Sequence, residues 1–111
     1  LTFTLTVGPE DPNYNIAGED RNGPFLHPQD PDINIYLGDT IVFNLAGLDD
    51  HPFNIVTEIG ASYDSAKDVT TPEFNGQGEV DGSYSWTPTQ KATYYYVSLN
   101  NPELNGQIIV L

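Results

Sequence analysis

The chemistry open to this chain is set as much by what it lacks as by what it carries. Two histidines, His27 and His51, stand among 16 carboxylates and seven tyrosines, with no cysteine and no methionine. There is no thiol nucleophile, zinc–thiolate set or iron–sulfur site, and no thioether ligand either. Ser98 and His51 would suffice for a nucleophile–base pair, but no G-x-S-x-G context or evident orienting acid goes with them. No glycine-rich loop follows a strand and opens a helix to cradle phosphate. Carboxylates occur in pairs such as Glu10-Asp11 and Glu19-Asp20, without a spacing that singles out an acid and a base. These absences predict that the chain is not an enzyme.

Hard oxygen donors are plentiful. Asp30, Asp32, Asp49 and Asp50 are the candidate calcium ligands, although no D-x-D-x-D-G loop is present and acidic solvated surface is the commoner cause of such pairs. His27 could join His51 in a two-imidazole site only if the fold brought them together. Tyr94-Tyr95-Tyr96, with Tyr84 and Trp86, could form a carbohydrate platform, but aromatic residues of a small β domain usually fill its core. Tyr94, Tyr96 and Trp86 are assigned to the core here, and Tyr95 to surface contact.

Three cations, Arg21, Lys67 and Lys91, against 16 acids give 3 − 16 = −13 and a pI near 4.1. Affinity for phosphate backbones comes from Lys and Arg, so no nucleic acid or anionic membrane surface is expected as a partner. Hydrophobic residues at 38% and aromatics at 12% are more than a disordered acidic tail would carry. No apolar run approaches the roughly 18 residues of a membrane span. There is no initiator Met, signal-like start or N-x-[ST] acceptor, and the chain reads as either processed or a segment of a longer polypeptide.

The elements that must position these groups read as strands. Leu1, Phe3, Leu5 and Val7 alternate with threonines. Residues from about 8 to 32 are rich in Pro, Asn, Asp and Gly and read as a long irregular insertion, with Tyr14 to Ile16 as a candidate short strand. Ile33, Ile35 and Leu37 alternate, as do Ile41, Phe43 and Leu45. Pro52 to Thr57 is a short apolar strand, residues 58 to 78 a polar loop, and Val80, Tyr84 and Trp86 share a face. Thr93 to Ser98 and Gly106 to Leu111 complete the set. Ser62 to Val69 could form one or two helical turns at most. Short strands at regular spacing predict one domain over 1–111, an all-β, antiparallel Greek-key sandwich.

Two segments resemble a known family. Leu37-Gly38-Asp39-Thr40-Ile41-Val42-Phe43-Asn44 runs on to Asp50-His51-Pro52-Phe53-Asn54-Ile55. Tyr94 through Val110 reads Y-Y-Y-V-S-L-N-N-P-E-L-N-G-Q-I-I-V. Together they resemble the cupredoxin (plastocyanin- and azurin-like) family over residues 33 to 111. The resemblance implies a copper corner in which a first His is joined by Y-x-Y-x-C-x-x-H-x-x-M-x-G-x-I-x-V. The His falls on His51, the thiolate position on Ser98, the second imidazole on Asn101 and the axial thioether on Leu104. His51, Ser98, Asn101 and Leu104 are thus vestigial metal-site positions. Cys→Ser, His→Asn and Met→Leu keep approximate volume while deleting the donor. The expected cofactor is none, with calcium as the candidate exception.

The leading expectation is a non-catalytic, copper-free structural or interaction module of an extracellular or virion/particle-surface assembly, with protein partners or self-assembly. One alternative is a blue-copper electron-transfer protein in ligand-deleted form, and another is a calcium- or carbohydrate-binding module.

Overall fold

In the computed structural model of the chain, which describes residues 1–70 and 73–111, period-two sequence becomes strand almost everywhere it occurs. Ten strands form: β1 (Thr2–Glu10), β2 (Asn13–Ala17), β3 (Glu19–Asp20), β4 (Gly23–Pro24), β5 (Ile33–Ile35), β6 (Thr40–Leu45), β7 (Phe53–Val56), β8 (Gly82–Trp86), β9 (Thr93–Ser98) and β10 (Asn105–Val110). One four-stranded sheet runs β2-β1-β6-β8 and a second β5-β10-β9-β7, with β3-β4 as a small separate pair. Most neighbours are antiparallel, but β1–β6 and β10–β5 pair parallel. Both sheets are therefore mixed, where alternation alone had suggested an antiparallel sandwich.

The core lies between the two sheets. Leu5, Ile16, Ile33, Ile35, Ile41 and Ile108 are fully buried, and with no methionine to fill gaps the centre is aromatic. The Phe53 ring stacks on Tyr96 at 6.0 Å and lies 5.0 Å from Phe43 and 5.5 Å from Tyr14. Trp86 meets Tyr94 edge-on at 5.0 Å. Edge-to-face and offset pairs of this kind add to the stabilisation from buried area.

The 8–32 segment is not an irregular insertion. β1 continues to Glu10 and turns into β2, pairing Val7 with Ile16 and Pro9 with Tyr14. Tyr14 and Ile16 are the two fully buried side chains of β2, enough to hold a strand whose other residues are asparagines and alanine. Residues 28–30 cover its outer edge through Ile16 N–H to Pro28 O and Asp30 N–H to Tyr14 O. Buried Asp20 accepts Asn22 N–H at 2.8 Å and Asn34 N–H at 2.7 Å, tying this segment to β5.

Leu37, expected to share the face of Ile33 and Ile35, is 44% exposed; the chain has already turned at Gly38, whose φ of +96° suits glycine. Leu1 precedes β1 and is exposed. Val80 precedes β8 and only packs against the core. Within Ser62 to Val69 a single 3-10 turn forms, Ser65–Lys67, capped by the Asp64 carboxylate. Thr71 and Pro72 of the polar loop lie outside the described residues.

Candidate functional site

At one end of the sandwich the loop before β7, the end of β9 and the β9–β10 loop converge. His51 N–H closes a turn onto Leu48 O, and Leu48 itself is buried. Leu99 N–H bonds Pro52 O, fastening β9 to the residue after His51. Ser98 N–H reaches Leu104 O and Leu104 N–H reaches Asn101 O, folding the 99–104 loop tightly back on itself. From below, the Tyr14 hydroxyl donates to His51 O at 2.8 Å. Burial pushes that phenol above its ordinary range.

Ser98 is fully buried, and its hydroxyl is the hub. Backbone N–H groups of Asn100 and Asn101 both donate to Ser98 Oγ at 3.2 Å. Two donors occupy the two acceptor positions of a hydroxyl, so the Ser98 proton goes to His51 Nδ1, 2.9 Å away. Nδ1 is then an acceptor, and the ring proton sits on Nε2, which donates to Asp11 Oδ1 at 2.6 Å. A relay from the β9–β10 loop to the β1–β2 turn results, with every ring nitrogen partnered. It joins a serine, an imidazole and a carboxylate, yet Ser98 Oγ is sealed from solvent with its lone pairs filled and cannot be presented to a substrate here.

Solved structures share this architecture. Rusticyanin, described as a copper protein, superposes with a TM-score of 0.58 at 20% identity over 99% of this chain and 78% of its own. Rusticyanin from Thiobacillus ferrooxidans gives 0.54 at 21% identity over 99% and 77%. A methionine-to-alanine mutant of amicyanin with Cu(I) gives 0.53 at 18% identity over 97% and 82%. This chain has the cupredoxin fold. No family model matches the sequence, and no curated protein sequence matches it.

A cupredoxin copper centre uses two imidazoles and a thiolate in a trigonal plane with a weak axial ligand. The residues present do not fit that ion. His51 Nδ1 is taken by the Ser98 proton. Asn101 Oδ1 turns into its own loop and accepts Glu103 N–H at 3.2 Å. Leu104 is buried in the core cluster and has no donor atom. The structure thus brings His51 and Ser98 into contact, puts Leu104 in the core beneath them, and points the Asn101 side chain elsewhere.

The other candidates do not converge. Among the described residues, no group of three or more His, Cys, Asp or Glu side chains is placed to hold a metal. Asp32, Asp49 and Asp50 are exposed. Asp30 holds Tyr14 N–H at 2.9 Å with φ +46°, and burial raises its pKa. His27 is exposed, and Tyr95 is half-buried on the outer face of β9.

Two groups had little sequence signal for their roles. Asp11 looked like half of an acidic pair, and its partner lies 40 residues away. Asp39, which follows Gly38 in the Leu37 to Asn44 stretch, is buried and holds the Arg21 guanidinium in a two-pronged pair at 2.7 and 2.8 Å. Hydrogen bonding from Arg21 holds the Asp39 carboxyl well below the usual carboxylate range despite burial. Arg21 also stacks over Tyr36 at 4.4 Å. A lone arginine among so many acids was the one clue to that pair.

Proposed function

We propose that this chain is a copper-free, non-catalytic cupredoxin-fold module that works through its surfaces, as a structural or interaction unit of an extracellular or particle-surface assembly. The observation that carries this reading is the closed relay of Asp11, His51, Ser98 and the Asn100 and Asn101 amides. Groups at the positions of a redox centre are spent on one another, so the fold keeps its rigidity without an ion. Fold and activity separate readily, and function then rests on the exterior. That exterior is acidic and free of cysteine, which suits an oxidising, salt-containing setting. Among the described residues no helix is long and apolar enough to cross a membrane.

The test is a titration of the purified chain with Cu(II) and, separately, Cu(I), followed by absorbance and thermal unfolding. The expected result is no intense visible band and a melting temperature that stoichiometric copper leaves within about a degree. Intense colour, or strong saturable stabilisation by one equivalent, would overturn the copper-free reading and favour an electron carrier.

A further inference from the structure

The second sheet has an outer face that should be polar, and part of it is not. Val56 on β7 and Val97 on β9 point away from the core, alternating with Phe53, Ile55 and Tyr96, which point in. Both valines are nonetheless buried, at 2% and 3% exposure, and neither belongs to the core between the sheets. They are covered by a strap, residues 57–70, fastened by Thr57 N–H to Lys67 O and Val69 N–H to Ile55 O. Buried Asn54 pins the strap by donating to Tyr63 Oη at 2.9 Å and Asp68 Oδ1 at 3.0 Å.

Beside the strap lies a cavity of about 240 Å³ with Val56 and Val97 at its base and Ile59 and Pro102 as its accessible apolar wall. That is several times the roughly 30 Å³ share of one water. Glu58, Asp64 and Lys67 line the rest. Lys67 Nζ lies 2.6 Å from Glu58 Oε2, but the Glu58 side chain is largely exposed and that of Lys67 partly so, and surface pairs of this kind exchange at little cost. Residues 49–68 carry Asp49, Asp50, Glu58, Asp64 and Asp68 against Lys67 alone, and Glu103 follows Pro102. An anionic guest is repelled, and a purely apolar one leaves the carboxylates unused. A long aliphatic stem ending in a cation satisfies both parts of the lining.

We propose that this cavity is the docking pocket for an arginine or lysine side chain of a partner protein. Its methylenes lie on Ile59 and Pro102, above the buried valines, and its cation sits by Glu58 and Asp64. This rests on the reading of the chain as an interaction module and names the surface and partner chemistry. Buried arginine anchors commonly dominate such interfaces, and the acidic field around the pocket speeds encounter with a basic partner.

The experiment is an amide NMR titration of the full chain with N-acetyl-arginine amide, with N-acetyl-norleucine amide and N-acetyl-glutamate amide as controls. Saturable millimolar shifts confined to Val56, Ile59, Val97 and their neighbours are expected for arginine alone. Ala61→Trp, on an exposed position lining the cavity, should abolish them. Glu58→Gln with Asp64→Asn, which keeps an oxygen to cap Ala66 N–H, should weaken them five- to tenfold. Absence of saturable shifts, equal response to norleucine, or shifts spread over the acidic surface and persisting in Ala61→Trp would each overturn the pocket. None of these outcomes touches the copper titration, so this pocket and the copper-free reading fail separately.

Discussion

Two regions of the second sheet, one at the end of β9 and one on its outer face, handle buried polar and apolar groups in opposite ways. In the His51 corner each donor has an acceptor, and Leu104 of the same loop is buried in the core. At the 57–70 strap, polar groups pin the rim while apolar residues line a cavity. The corner closes by pairing its own groups, whereas the strap keeps open volume beside exposed charges. The corner should therefore be coupled to global stability, and the strap should open on its own as a local unit.

The largest expected difference separates Ser98→Ala from Asn54→Leu. Removing the Ser98 hydroxyl leaves two backbone N–H groups and His51 Nδ1 without partners in a closed site. At about 1–3 kcal/mol for each buried unsatisfied group, partly relieved by relaxation, the loss is about 3 kcal/mol. That is a fall of roughly 10–20 °C in Tm for a domain of this size. Asn54→Leu frees groups that water can reach once the strap lifts, costing about 1 kcal/mol globally while hydrogen exchange of the Thr57, Lys67 and Val69 amides accelerates. Equilibrium urea unfolding and native-state exchange read the two effects. Equal global losses, or exchange unchanged in Asn54→Leu, would erase the distinction.

Alkaline pH gives an intermediate effect. Burial raises the phenols of Tyr14 beside the corner, Tyr96 in the core and Tyr63 in the strap above their ordinary value of 10.0. A folded-state pKa above the unfolded one gives stability that is intact below about pH 10 and lost as pH rises beyond it. Urea midpoints should thus decline above that pH. Tyr14→Phe and Tyr96→Phe should each flatten the decline, and Tyr63→Phe should chiefly alter strap exchange. Midpoints that stay level above pH 10 would mean that these phenols ionise without unfolding the chain.

Much of this architecture was legible because strands that bury one face announce it. Ile41, Phe43 and Leu45 alternate and all three are buried, and the motif around Ser98 placed the corner before any coordinates. Alternation carries no direction, which is why the parallel β1–β6 pairing was hidden. β2 showed only as the short candidate Tyr14 to Ile16, because just two buried residues hold it among asparagines. Alternation put Val97 on the outer face with Tyr95, but nothing in the period showed that this face is buried there. Asp11 was invisible for another reason: a contact 40 residues long comes from the fold, with no periodicity to mark it.

The smallest expected effect concerns that same aspartate and tests the proton order of the relay. The Asp11 side chain is 66% exposed, so Asp11→Ala should change stability by less than about 1 kcal/mol, as for other surface pairs. His51 Nε2–H then donates to water, and the tautomer does not change, because Ser98 still delivers its proton to Nδ1. In Ser98→Ala the Asp11 carboxylate still accepts from Nε2–H, so both tautomers should become populated only when Ser98→Ala is combined with Asp11→Ala. Long-range proton–nitrogen spectra of the imidazole distinguish the cases. If Asp11→Ala moves the ring proton to Nδ1, or destabilises as much as Ser98→Ala, the exposed carboxylate governs the imidazole, and the corner is not closed from within.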